Sequence, residues 1–182
     1  MGVPALGYSI NLADREAIYK VVDLTQKAIK SHFKDNKAVV SVLINNAGIV
    51  TGKTILDCPD KLMSLCMDVN TTAHFWTIKS FLPDMLKLNR GHIVTIASIA
   101  GFGGVNGLVD YCASKYGAVG LSEALTNEMF KMKKDVHVTC VAPYYINTGM
   151  FEGVKSKMNF LLPIQDPDYV VKRMRDELKE KC

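Results

Sequence analysis

The chain has 182 residues, 48% of them apolar, and a formal charge of +4 spread over mixed Lys, Arg, Asp and Glu. That length supports one domain, 1–182, with a substantial core, and the lack of a basic block interleaved with aromatics argues against a nucleic-acid partner. Five cysteines without a Cys-x-x-Cys pair and four histidines without ligand spacing argue for reduced thiols and against a metal site, and no apolar run is long enough for a membrane span.

In chain order, residues 8–11 read as the end of a strand and 14–33 as an amphipathic helix opened by Asp14. Residues 39–44 read as a buried strand, and 59–88 as one long helical stretch. Residues 92–97 form the next expected strand, 110–132 a helix, 136–141 a strand and 167–180 a terminal helix behind Asp166-Pro167. Short Val- and Ile-rich runs alternating with longer amphipathic segments predict an α/β fold around a parallel sheet. Three distinctive connections, 45–58, 98–109 and 142–163, each follow a strand. In open parallel sheets the ligand crevice lies beyond the carboxyl ends of the strands, so these loops share one functional edge.

Two residues on the 110–132 helix describe a proton-transfer site. Lys115 follows Tyr111 by four positions, one turn along the same helical face. A cation close to a phenol favours the phenolate, so the pair is expected to lower the tyrosine pKa from its ordinary value of about 10. Ser98 ends the preceding strand, thirteen residues upstream. Asn45-Asn46-Ala47-Gly48 follows the 39–44 strand, where small residues admit a ligand close to backbone and amide side chains brace neighbouring loops. The 142–163 loop is rich in apolar groups, including Tyr144, Tyr145, Met150, Phe151, Met158, Phe160, Leu161 and Leu162. Such a loop suits a lid over a lipophilic molecule, or packing of the loop itself against the domain.

With Asn-Asn-Ala-Gly, a strand-end Ser98 and Tyr111-x-x-x-Lys115 in this order, the chain resembles the short-chain dehydrogenase/reductase family along almost its whole length. More narrowly, residues 44–59, 105–115 and 148–153 resemble membrane-associated retinol and hydroxysteroid dehydrogenases of the epidermal retinal dehydrogenase type. The resemblance implies a Rossmann-like doubly wound parallel sheet, and an oxidoreductase that interconverts an alcohol and a carbonyl with NAD or NADP. It implies Asn70, Ser98, Tyr111 and Lys115 as catalytic residues, with Tyr111 as acid and base. Cofactor contacts would come from Asn11, Asn45, Ala47, Gly48, Tyr111, Lys115, Pro143, Ile146 and Thr148. Substrate contacts would come from Ser98, Phe102, Tyr144, Tyr145 and Phe151. It further implies a retinoid, steroid or other lipophilic substrate, a homodimer, and a cytoplasmic location with contact at the endoplasmic reticulum or lipid-droplet surface.

Three departures qualify that picture. No strand-Gly-x-x-x-Gly-x-Gly-helix unit, which would hold a pyrophosphate, occurs in the sequence; the glycine run 101–107 lies between the Ser98 strand and the Tyr111 helix. By the family layout the fold is incomplete, lacking the first βαβ unit and the last strand, which would leave 39–44 as an apolar sheet edge. Tyr144 stands where the family has a glycine, and Asn11 where it has an aspartate facing the adenine. A second reading is therefore a catalytically impaired truncated form that acts only through dimerisation. A third, an epimerase or dehydratase of the extended branch, shares Tyr-x-x-x-Lys but is disfavoured by Asn-Asn-Ala-Gly.

Overall fold

The structure is a computed structural model that describes residues 5–35, 37–148 and 164–181. Its elements are α1 (Arg15–Phe33), β1 (Val42–Asn45), α2 (Asp60–Met67), a π-helical turn (Asp68–Thr72), α3 (Ala73–Leu88), β2 (Gly91–Ile96), a 3-10 turn (Ile99–Gly101), α4 (Val109–Met132), β3 (Val136–Val141) and α5 (Pro167–Lys181). The three strands form a parallel sheet in the order β1-β2-β3. The fold is α/β and Rossmann-like, as the alternation of strand and helix signals predicts.

Local chemistry sets the helix boundaries. Asp14 caps α1 by accepting from the backbone N–H groups of Glu16 and Ala17, and Lys34 closes the helix in the left-handed region at φ 50°. Each strand displays alternate side chains on opposite faces. Ile93 of β2, with Leu43 and Val138 beside it, packs against Ile78 and Met85 of α3 and Leu125 and Met129 of α4. Each such side chain withdrawn from water is worth about 1.5–3 kcal/mol. Residues of the other parity, His92 and Val94 of β2 and Thr139 and Val141 of β3, face α5 across a cavity of about 430 Å³.

Three expectations are corrected. Residues 8–11 form no strand, because no described strand lies beside them to take their backbone hydrogen bonds. The strand expected over 39–44 is confined to Val42–Asn45, because its partner β2 begins at Gly91 and the ladder starts with Val42 opposite His92. Within the described sheet β1 is an edge, and Ile44 is 46% exposed. The long helix expected over 59–88 is divided by the π-helical turn, and that wider turn carries the buried Asn70. Side-chain bonds to the rest of the molecule accompany the irregular turn: Thr71 Oγ1 donates to the Ser114 carbonyl at 2.6 Å, and both ends of the Asn70 amide engage the Ile49 backbone.

Candidate active site

The carboxyl ends of the three strands open onto a cavity of about 990 Å³. Its walls come from the loops after all three strands: Gly48 to Val50, Ala97 to Ala100, and Pro143 to Ile146 with Thr148. Strand-end backbone bonds fix these loops to one another, since Ala97 N–H donates to the Val141 carbonyl at 2.8 Å and Ile99 N–H to the Pro143 carbonyl at 3.0 Å. Tyr111 and Lys115 of α4 enter the same cavity.

Tyr111 is 4% exposed and Lys115 3%. Burial raises the tyrosine pKa above 10, a hydrogen bond from Ser98 opposes the rise, and the neighbouring Cys66, Cys112 and Tyr145 add to it. The expected lowering by Lys115 is thus not found in this geometry. The lysine Nζ lies 5.7 Å from the centre of the tyrosine ring and donates instead to the Ile96 carbonyl at 2.8 Å. Burial also lowers the Lys115 pKa, to about 8. Desolvation therefore dominates both groups, and the resting site holds a neutral phenol beside a protonated amine at neutral pH.

Ser98 stands two residues beyond the end of β2, in an extended conformation that caps the 3-10 turn by accepting from Ala100 N–H at 3.2 Å; it lines the cavity and hydrogen-bonds the Tyr111 phenol. Asn70 is fully buried. Its Oδ1 accepts from Ile49 N–H at 2.8 Å, while its Nδ2 donates to the Ile49 carbonyl and to Ser114 Oγ, each at 2.9 Å. Asn70 thereby clamps the loop after β1 against α4. A Cβ built on Gly48 would lie 3.4 Å from Asn70 Oδ1 and 3.5 Å from Lys115 Nζ, so Gly48 leaves the space between those two polar atoms open to the cavity. That opening is the size of one methyl group, and it lets a ligand atom approach Asn70 Oδ1 and Lys115 Nζ closely.

The remaining expected residues divide. Ala47, Gly48, Pro143, Tyr144, Tyr145, Ile146 and Thr148 line the cavity. Asn45 is buried, with Oδ1 accepting from Thr77 Oγ1 at 2.8 Å, and lies behind the lining rather than in it. Phe102 is 59% exposed and outside the lining. Asn11 is exposed and accepts from Ala13 N–H at 3.0 Å, within its own turn. Phe151 lies outside the described residues, as do Met150, Met158, Phe160, Leu161 and Leu162.

Several contributors escape a motif-based reading. Ser114, fully buried, donates to the Tyr111 carbonyl at 2.7 Å and accepts from Asn70. Its place immediately before Lys115 on the buried side of α4 was the available signal. Cys66 lies 3.4 Å from Asn70 Nδ2, and burial pushes its thiol up to about 11, so it stays neutral. Cys112 accepts from Val105 N–H at 3.3 Å and ties the glycine-rich loop to α4.

Residues 2–159 match the short chain dehydrogenase family model. Epidermal retinol dehydrogenase 2 of Mus musculus is 46% identical over 175 residues, 96% of this chain and 54% of that protein. Retinol dehydrogenase 10 of Homo sapiens is 44% identical over 169 residues, 91% of this chain and 47% of that protein. The chain thus spans about half the length of the curated relatives it matches. Among solved structures, a 4-hydroxyisoleucine dehydrogenase complexed with NADH and succinate superposes with a TM-score of 0.66 at 26% identity, covering 76% of this chain and 60% of that one. With the family model matched over most of its length, and Ser98, Tyr111 and Lys115 gathered at one cavity, this chain belongs to the short chain dehydrogenase family.

Proposed function

We propose that the protein is an NAD(P)-dependent oxidoreductase that interconverts an alcohol and a carbonyl on a lipophilic substrate of the retinoid or steroid class. The observation that carries this reading is the hydrogen bond between Ser98 and the Tyr111 phenol inside a cavity walled by Ile49, Val50, Val105 and Leu108, with Lys115 buried beside them. When bound, the nicotinamide supplies or accepts the hydride.

The chain's own residues handle the proton and the geometry. Ser98 Oγ orients the reacting oxygen. A neutral Tyr111 is set to donate its proton to a carbonyl oxygen in the reductive direction. In the oxidative direction the phenolate must form, which calls for the Lys115 ammonium to swing from the Ile96 carbonyl towards the phenol and ribose side. Lys115, Gly48 and the segment Pro143 to Thr148 would hold the nicotinamide riboside, and the apolar walls would exclude water and take the hydrocarbon of the substrate. Asn70 would hold a water leading from Lys115 to solvent. The relatives' names, retinol dehydrogenases, favour a retinoid within the lipophilic class.

Such a substrate partitions into lipid, which favours action at a membrane surface; among the described residues no helix is long and apolar enough to cross one. Self-association through α3 and α4 fits the exposed Phe75 and Tyr116. The test is a fluorescence titration of the chain with NADH and NADPH, followed by oxidation of all-trans-retinol with NAD+ or NADP+ as hydride acceptor. Saturable binding with retinal formation supports the reading; binding without turnover rejects the retinoid as substrate, and no saturable binding rejects the enzyme for this chain and favours the dimerising, non-catalytic alternative.

A further inference from the structure

The first turn of α4 carries a carboxylate that the proton-transfer scheme does not use. Asp110 is 7% exposed and stands immediately before Tyr111. Its Oδ1 and Oδ2 lie 2.9 and 2.8 Å from Thr51 Oγ1, which donates between them, and the Cys58 thiol lies 3.9 Å from Oδ2. No salt bridge to Asp110 occurs among the described residues. Burying a carboxylate this way is costly, and the N-terminal turn of a 24-residue helix offsets part of the cost.

The carboxylate joins two parts of the site that are far apart in sequence. Thr51 directly follows Ile49 and Val50, which line the cavity, and residues 52–57 beyond it are exposed. Thr51 and Cys58 are thus the two ends of an otherwise solvent-facing loop, and both converge on the residue preceding the phenol. We infer that Asp110 is a positioning residue: with Thr51 it forms a latch that fixes the Ile49–Val50 wall relative to the Tyr111 phenol. The inference rests on the oxidoreductase reading for its catalytic consequence, while the latch itself is a statement about the loop.

Three variants separate the latch from a simple charge effect at the helix terminus. Thr51→Val removes the donated bond and keeps the charge; Thr51→Ser keeps the bond; Asp110→Asn removes the charge and keeps an acceptor. Amide hydrogen exchange of Ile49, Asp57 and Cys58 reads the loop, with β2 amides as the internal control. The latch requires exchange at least about ten-fold faster in Thr51→Val, with β2 unchanged and with near-wild-type behaviour of Thr51→Ser and Asp110→Asn. In retinol turnover, Thr51→Val should lower kcat about ten-fold while KM for the cofactor moves less than about two-fold, and Thr51→Ser should restore it. Wild-type exchange in Thr51→Val, or a loss confined to Asp110→Asn, overturns the latch. Absence of turnover in the wild-type chain would instead reject the oxidoreductase reading, and the exchange pattern would still decide the latch.

Discussion

Asn70 and Ser114 meet between the π-helical turn and α4: Asn70 Nδ2 donates to Ser114 Oγ at 2.9 Å, and Ser114 Oγ in turn donates to the Tyr111 carbonyl at 2.7 Å. Both side chains are fully buried, so the chain of bonds ties the irregular turn to the helix residue bearing the phenol. Ser114→Ala leaves one buried amide hydrogen of Asn70 poorly matched. Its expected cost is about 1–3 kcal/mol in denaturant unfolding, against a near-neutral Ala113→Ser control on the exposed side of the same helix.

Gly48→Ala tests the space between Asn70 Oδ1 and Lys115 Nζ. The added methyl makes contacts at 3.4 and 3.5 Å, within ordinary van der Waals range, so folding should be preserved to within about 1 kcal/mol. Because the methyl projects towards the lysine that would hold the ribose, affinity for NADH or NADPH should fall about ten-fold in a fluorescence titration. Unchanged affinity would mean that the dinucleotide does not approach this glycine.

His74 supplies an acid-side prediction. It is 3% exposed, and burial, with a contribution from the Lys115 charge, lowers its pKa from 6.5 to about 4. The unfolded chain therefore binds more protons than the folded one between those values. The corresponding stability is complete above pH 6.5 and is lost as pH falls through about 4, on the order of 3 kcal/mol in all. His74→Gln should flatten the pH dependence of Tm in that window relative to wild type.

Lys115 supplies the alkaline counterpart. Its pKa is lowered from 10.5 to about 8, so the folded state gains stability as pH rises through that interval and loses it on the way down. The raised thiols and phenols act in the opposite sense above pH 9, so the informative quantity is the difference from Lys115→Met. Between pH 8 and 10, the wild type should gain stability relative to Lys115→Met. A constant difference would place the ammonium in a better-solvated setting than the one described.

How much could be read from sequence depended on how local the cause was. The caps and apolar runs marked α1, β2, α4 and β3 within a residue or two, because Asp14 and the Val- and Ile-rich segments act on their immediate neighbours. The segment 8–11 and the early part of 39–44 carry strand-like sequence without forming strand, because a strand needs a partner and pairing is not a local property. The break at Asn70 was illegible because it accompanies bonds to Ile49 and Ser114, distant in the chain. The motif spacing placed Ser98, Tyr111 and Lys115 at one cavity, yet not the electrostatics. Proximity along a helix suggested that the lysine lowers the phenol pKa, whereas burial of both groups and the Ile96 carbonyl decide otherwise.

The proton-transfer role of Tyr111 is the central claim, and Tyr111→Phe tests it most directly, since it removes only the hydroxyl. Retinol oxidation should fall by about 10²–10⁴-fold while NADH or NADPH still binds with near-wild-type affinity. Turnover undiminished by the substitution would contradict the assignment, whatever the effect on binding.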